Sequence, residues 1–319
     1  MTRLNGPVYI DGQLVVPNTA FWQQGKIFYL DPENGSDGYR GTDADRPLAT
    51  LAKAYSLLRD ERGDKIVLMN DGNTGASCRL TETLTWAKDN CALIGTCPQT
   101  HVSHRSRITG ESSGSTFTPL IDVTGHGNLF ANFQLFQDYT VDTVALNVTG
   151  QRNEFVNLHV AGMGHADAGD DAAGASVKLN GGDENVFREC VIGLDTIARS
   201  TTNAEIELVG GATRNVFVDC FISSFADNAG HLFVKIDGSG DIDRYVWFKR
   251  CMFYNAVEST ATAMTQAMNV HNTCGGMVIL QDCAQIGATD WCEADNGNVF
   301  INGTAATAGS DGIMLALTR

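Results

Sequence analysis

One motif of alternating apolar and polar residues returns at a nearly constant interval through the second half of the chain. It reads Asn128-Leu-Phe-Ala-Asn132-Phe133 at its first occurrence and Asn215-Val-Phe-Val-Asp219-Cys220 at its fourth. The copies end at residues 133, 158, 190, 220, 251, 283 and 303, so successive gaps are 25, 32, 30, 31, 32 and 20 residues. A period in this range, with loops of variable length inside it, is typical of a solenoid.

Each interval contains at least two predicted strands and no predicted helix. The segment 216–221 alternates apolar and polar residues, which indicates a strand. A second strand recurs between the motif copies and is usually followed by a glycine turn; it covers residues 144–148, 175–179, 204–208, 232–236 and 267–270. No interval shows the 3.6-residue pattern that a crossover helix would require. We therefore predict an all-β fold, a right-handed parallel β-helix, in which equivalent residues stack about 4.8 Å apart.

The final motif residues predict one inward ladder of side chains. The ladder contains Phe133, Leu158, Cys190, Cys220, Cys251 and Cys283. Aligned cysteines can be a metal or disulfide site, or they can be small apolar side chains in a narrow core. We favour the core interpretation because Phe and Leu share the ladder and no histidine accompanies the thiols.

The chain is divided into an arm, a cap and a solenoid. Residues 1–27 form an arm with a predicted hairpin around Asp11-Gly12. Residues 28–64 form a cap with a helix over 47–62, and the β-helix covers 65–319. The arm is either a docking element or packs on its own chain. Its apolar candidates for docking are Tyr9, Ile10, Phe21 and Trp22.

The cap carries a resemblance to a known family. The segment Asp31-Pro-Glu-Asn34-Gly35-Ser36-Asp37, followed by Gly41-Thr42, Pro47 and Thr50-Leu51, resembles the opening of pectate-lyase-like parallel β-helix proteins. The resemblance implies the fold but no particular activity, because that scaffold carries lyases, hydrolases and inert structural proteins. Aspartates 31, 37, 43 and 45 are interpreted as turn formers, with Ca²⁺ binding as the alternative.

Composition and charge limit the partners. The 319 residues carry a formal net charge of −15, which repels phosphate backbones and makes a nucleic-acid partner unexpected. No apolar run is long enough to span a membrane, and the first residues lack the apolar stretch of a secretory signal. The nine cysteines include no CxxC pair. We expect reduced thiols, folding in the cytosol, and neither cofactor nor metal.

The candidate chemistry is sparse. The strongest acidic cluster contains Asp167, Asp170 and Asp171, which would act as acid and base on a sugar if the protein were a glycosidase or lyase. The surrounding Gly and Ala favour a solvated loop instead. Glu205 and Glu207 are predicted on the outer face of a strand, and Trp247 at a core position. The seven histidines are scattered and suggest no Ser-His-Asp or metal-binding set.

A second resemblance suggests a role. Residues 232–236, 243–251, 287–291, 297–303 and 311–317 resemble segments of short β-helix proteins among tailed-phage virion structural proteins. The resemblance implies a non-enzymatic virion protein assembled in the host cytoplasm, either a capsid (head) decoration protein or part of a tail spike or fibre. We expect a homotrimer that contacts the major capsid protein or another virion protein. The alternatives are a polysaccharide lyase or glycoside hydrolase, and a glycan-binding adhesin without catalysis.

Overall fold

The computed structural model describes most of the chain. The described residues are 9–10, 13–14, 25–69, 78–98, 100–111, 118–138, 140, 143–255, 262–293, 296–305 and 313–315. No helix within these ranges is long and apolar enough to cross a membrane.

Three parallel sheets wind around one core, which confirms the predicted right-handed parallel β-helix. The first sheet contains Ile27–Leu30, Lys65–Leu68, Ala92–Gly95, Leu129–Ala131, Glu154–Val156, Val186–Arg188, Ala212–Val218, Ile242–Lys249, Gly275–Gln281 and Val299–Ile301, with Thr304–Ala305 antiparallel at its end. The second contains Cys78–Leu80, Arg107–Gly110, Gln134–Phe136, His159–Ala161, Val191–Gly193, Phe221–Ser224, Met252–Asn255, Ala284–Ile286 and Ile313–Leu315. The third contains Leu84–Trp86, Ile121–Val123, Val144–Val148, Ala175–Asn180, Ala204–Val209, Leu232–Ile236 and Met268–Val270. Met264–Gln266 and Ala288–Asp290 form a separate two-stranded ribbon.

A sharp bend separates the first sheet from the second, so the strand predicted over 216–221 is wrong. It is divided into Ala212–Val218 and Phe221–Ser224 because Asp219 has a φ of 55°. The equivalent residues also have positive φ, a region that Asn and Asp tolerate better than most side chains; they are Asn132, Asn157, Glu189, Arg250, Asp282 and Asn302. The polar residue before each ladder residue therefore forms the bend.

Two ladders of side chains fill the core beside this bend. The predicted ladder residues are all buried, with exposed fractions of 1–6%. Their turns are joined by backbone bonds such as Phe221 N–H to the Cys190 carbonyl, at 2.9 Å. The second ladder is a column of phenylalanine rings with centroids 4.4–5.1 Å apart and planes within 11° of parallel; it contains Phe130, Phe155, Phe187, Phe217 and Phe248. Such contacts add to burial because offset rings attract one another.

A third ladder consists of asparagines at the first position of the motif, and the sequence analysis did not predict its bonding. The Asn185 Oδ1 atom accepts the Asn153 backbone N–H at 3.0 Å, and Asn185 Nδ2 donates to the Gly150 carbonyl at 3.1 Å. Asn215 repeats the pattern on the next turn. These buried amides satisfy backbone groups that the turns would otherwise leave without partners.

The cap differs from its prediction in two respects. The helix spans Leu51–Leu57 rather than 47–62, since Thr50 caps its N-terminus and Leu58 leaves the helical conformation. Leu48 instead bridges to Leu30 in parallel, and Ile27–Leu30 is already a strand of the first sheet. In the arm, Tyr9–Ile10 pairs antiparallel with Gln13–Leu14. Phe21 and Trp22 lie outside the described residues.

Candidate functional site

The acidic loop is open to solvent. Residues Ala166–Gly169 make a single helical turn, and Asp167, Asp170 and Asp171 are all exposed around it. Asp167 lies 3.8 Å from His165, and Asp171 accepts the Ala173 N–H at 2.8 Å. The Asp171 carboxylate thus caps a local turn, and all three carboxylates are exposed to solvent.

A fully enclosed polar cluster lies beside this loop, at the corner between the second and third sheets. Glu205 shares the outer face of its strand with Glu207, as predicted, but it is not open to solvent, because its side chain and that of Arg199 are both 0% exposed. Arg199 Nε donates to Glu205 Oε1 at 2.8 Å, and Ser176 Oγ donates to Oε2 at 2.6 Å. The remaining guanidinium nitrogens donate to backbone carbonyls, including that of Met163 at 2.8 Å. The buried charges are thus paired and hydrogen-bonded, which such burial requires.

The same cluster contains a Ser-His-Asn arrangement that the sequence analysis missed. Ser224 Oγ lies 2.6 Å from His231 Nε2, and His231 Nδ1 lies 2.7 Å from Asn203 Oδ1. Burial, and then the neighbouring Arg199, hold the pKa of His231 well below its ordinary value. All three side chains are fully buried, so no substrate reaches Ser224 in this conformation. Asn203 Nδ2 also donates to the Gly169 carbonyl at 2.8 Å, so the cluster anchors the acidic loop.

The outer surface of the third sheet is polar and carries a cleft. Its outward column is Thr85, Asp122, Asn147, Lys178, Glu207, Lys235 and Asn269. A polar cleft of about 490 Å³ lies over Lys235 and Asn269. Lys235 Nζ lies 3.3 Å from Asp237, and Asp237 accepts the Asn269 amide at 2.5 Å. Asp290 of the two-stranded ribbon also lines the cleft.

The outer surface of the first sheet combines apolar residues with charged ones such as Glu154, Arg188 and Lys249. Trp247 was predicted in the core, but Phe248 occupies that position and Trp247 points outward, half-buried. Along the outward column Trp247 pairs with Val216 on one side and Ile279 on the other. We call the outward residues Val156, Val186, Val216, Val218, Trp247 and Ile279 the apolar strip. At its C-terminal end an aromatic cleft of about 590 Å³ is lined by Tyr245 and Trp247, with Asp282 and Asn302 at its rim.

Lys249 and Arg250, which had no evident role in the sequence, both have partners. Lys249 Nζ lies 5.4 Å from the centre of the Trp247 ring, a cation–π contact. Arg250 forms two bonds, of 2.6 and 2.7 Å, to Asp219 on the preceding turn. The hydrogen bonds to Arg250 hold the pKa of Asp219 below its usual value.

The thiols and the cap aspartates form no metal site in the part of the chain that the structure describes, where no group of three or more His, Cys, Asp or Glu is suitable. All nine cysteines are free, and burial raises the pKa of Cys78 to about 12. Asp37 accepts the backbone N–H groups of Ala49 and Thr50 at 2.9 and 3.0 Å, and Asp31 accepts that of Glu33 at 3.0 Å. The Asp31 contact is that of a turn-forming aspartate, whereas Asp37 joins its loop to the start of the cap helix.

Comparison with known proteins places the chain by its fold. No protein-family model matches it, and no curated protein matches it. Its structure is similar to that of the pectate lyase Pel9A, with a TM-score of 0.59 and 13% identity over 87% of this chain and 68% of that one. A rhamnogalacturonan lyase has a TM-score of 0.57 and 13% identity, over 88% of this chain and 75% of that one. The pectin methylesterase from Aspergillus niger has a TM-score of 0.55 and 17% identity, over 92% of this chain and 90% of that one. The solved structures that it resembles are thus pectate-lyase-like right-handed parallel β-helix proteins, and identities this low show the fold alone.

Proposed function

We propose that this chain is a non-enzymatic structural subunit of a phage virion. The proposed role is a capsid (head) decoration protein that binds the major capsid protein as a homotrimer, and a tail spike or fibre is the other location that suits it. Two observations support this role. Several sequence segments resemble phage structural proteins, and the described surface has one feature that suits a structural subunit.

That feature is the pairing of outer charges between successive turns of the solenoid. Ion pairs join side chains about one repeat apart, so each pair links one turn to the next. They are Glu154–Arg188 at 3.0 Å, Lys178–Glu207 at 2.6 Å, Glu184–Arg214 at 2.7 Å and Asp219–Arg250 at 2.6 Å. One exposed pair stabilises a protein by at most about 1 kcal/mol, but these four together link the successive turns between residues 154 and 250. A solenoid whose turns are linked in this way suits a mechanical role.

Mass spectrometry of purified phage particles tests this role. Peptides from the chain are expected at a constant ratio to the major capsid protein after the particles are banded and washed. Peptides found only in the lysate supernatant would contradict the proposal.

The polar cleft favours a second candidate, a polysaccharide-active or glycan-binding protein. The proteins with similar structures are named as a pectate lyase, a rhamnogalacturonan lyase and a pectin methylesterase. The cleft is concave and combines carboxylates, an amide and a lysine. Such groups bind sugar hydroxyls by hydrogen bonds from several directions.

Variants in the cleft and the loop separate the candidates. We would measure polysaccharide depolymerisation and glycan-array binding for Asp237→Asn, Asp290→Asn and the matched loop variant Asp167→Asn. Loss in the cleft variants alone would support this candidate. Binding without product release would identify an adhesin, and activity unchanged by both cleft variants would exclude the cleft.

A further inference from the structure

We infer that residues 100–106 form a strap across the second sheet, which the neutral ring of His159 holds closed and which acidification releases. The strap is the last part of the connection between Ala92–Gly95 and Arg107–Gly110. On the next two turns the same connection has only two residues, 132–133 and 157–158. The inference concerns the isolated chain and does not depend on the proposed function.

The first observation is the course of the strap along the solenoid. The Ser103 N–H donates to His159 Nδ1 at 3.0 Å, and His159 lies two strands further along the second sheet than the strand that follows the strap. The ring centres of His101 and Phe221 are 4.9 Å apart, and Phe221 lies two strands further still. Gln134 and His159 point away from the core of the second sheet, yet both are at most 2% exposed. The strap therefore covers a sheet surface that would otherwise face water.

The second observation is the hydrogen bonding of the His159 ring, which suits only the neutral form. The ring nitrogen Nε2 lies 3.1 Å from the Gly193 carbonyl, so this nitrogen carries the proton. The other nitrogen, Nδ1, accepts the Ser103 N–H and lies 3.0 Å from Gln134 Nε2. Arg107 Nε donates to Gln134 Oε1 at 2.8 Å, so the nitrogen of that amide faces the ring. Because Nδ1 lies between two donors, a second ring proton would break the bond to the strap.

The surroundings of His159 also oppose a positive charge on its ring. Its titratable and charged neighbours are His101 and His104 of the strap, Arg107, and beyond Gly193 the carboxylate of Glu205, which is paired with Arg199. Burial and, to a smaller extent, His104 and Arg107 lower the pKa of His159 to about 4. When the strap opens, water reaches the ring, and its pKa should return towards about 6.5.

This difference between the closed and open forms gives the sign and size of the pH effect. The open form binds a proton below about pH 6.5, whereas the closed form binds it only near pH 4, so acid favours the open form. The ratio of open to closed strap should therefore rise about 70-fold between pH 7.5 and pH 4.5. Opening would uncover the outward ring of Phe221 and a cavity of about 260 Å³ that Thr100 and His101 border.

Hydrogen exchange of the Ser103 amide in the full chain tests the strap, because His159 accepts this N–H. The opening constant is the observed exchange rate divided by the intrinsic rate at the same pH. In the wild type it should rise about 70-fold from pH 7.5 to pH 4.5. The amides of the central strands Val186–Arg188 and Ala212–Val218 should stay better protected than Ser103 at both pH values.

Two histidine variants identify the titrating group. His159→Gln removes the ring and should make the rise of the opening constant at least about tenfold smaller. His126→Gln is the matched control, since His126 Nδ1 accepts the Gln151 N–H at 2.9 Å in the same way but on the exposed surface. This control should keep the rise seen in the wild type. Circular dichroism verifies that both variants are folded.

Three results would overturn the inference. The first is a rise of less than about threefold in the wild type, and the second is an equal rise in wild type and folded His159→Gln. The third is a Ser103 amide that exchanges no faster than the central strands at pH 4.5, because the opening would then be global unfolding. If His159→Gln does not fold, the first and third criteria, both measured on the wild type, decide the question.

Discussion

The residue with the largest predicted effect on stability is Glu205, because its carboxylate neutralises a guanidinium that is fully buried. Replacing Glu205 by Gln leaves the charge of Arg199 uncompensated inside the protein. Breaking a buried pair in this way costs about 3–5 kcal/mol. The measurement is the free energy of unfolding in urea. The matched control is Glu154→Gln, whose pair with Arg188 is 49% exposed on both sides and should change stability by less than about 1 kcal/mol. Equal effects of the two variants would contradict this assignment.

Buried neutral histidines predict the pH dependence of stability. Burial lowers the pKa of His159 to about 4, while its ring bonds to the Ser103 N–H and the Gly193 carbonyl. The unfolded chain takes up this proton near pH 6.5, so stability should be level above that pH and fall as the pH decreases towards 4. Urea midpoints measured from pH 8 to pH 4 check this. His159→Gln should reduce the slope, whereas the half-exposed His165→Gln should not. A protein that becomes more stable on acidification over this range contradicts the account.

At the scale of elements, the asparagine ladder should stabilise the turns. Asn185→Ala removes the acceptor of the Asn153 N–H and the donor to the Gly150 carbonyl, both buried. Two unsatisfied backbone groups cost about 2–6 kcal/mol together. The outward Asn147→Ala, which loses one bond to Asp122, is the control and should cost less than about 1 kcal/mol. The measurement is the free energy of unfolding of both variants in urea. If Asn185→Ala is as stable as Asn147→Ala, the asparagine ladder does not stabilise the turns.

The cysteine ladder makes a separate prediction about reactivity. Eight of the nine thiols are buried and only Cys97 is partly exposed. Ellman's reagent should therefore titrate one thiol quickly in the native protein and all nine after denaturation. Cys97→Ser should abolish the fast reaction. Fast reaction of several thiols in the folded protein would show that the ladder is not the packed core described here.

Elements differ in how far the sequence predicts them. The motif predicted the stacking and the strands of the third sheet closely, because period-2 alternation and glycine turns are local signals. It did not reveal the bend at Asp219, since a single residue of positive φ interrupts a strand without interrupting its apolar pattern. The helix was predicted too long because Leu48 forms a bridge to Leu30, and sequence alone does not show such tertiary pairing.

At the scale of the whole molecule, the sites were harder to predict than the fold. Arg199 and Glu205 lie on one turn and Ser224 and His231 on the next, and only the winding of the solenoid brings the two pairs together. The acidic loop was conspicuous because its residues are adjacent in sequence. Trp247 was misassigned because its neighbour Phe248 has the same apolar character, so alternation alone did not fix which one points inward.

In its proposed role this solenoid is a subunit of a larger particle. Cryo-EM of intact virions tests it most directly, because a β-helix with strand spacing of about 4.8 Å is recognisable in a map. We predict density on the particle surface into which the three-sheet solenoid fits. A complete map of the virion with no such density would contradict the account.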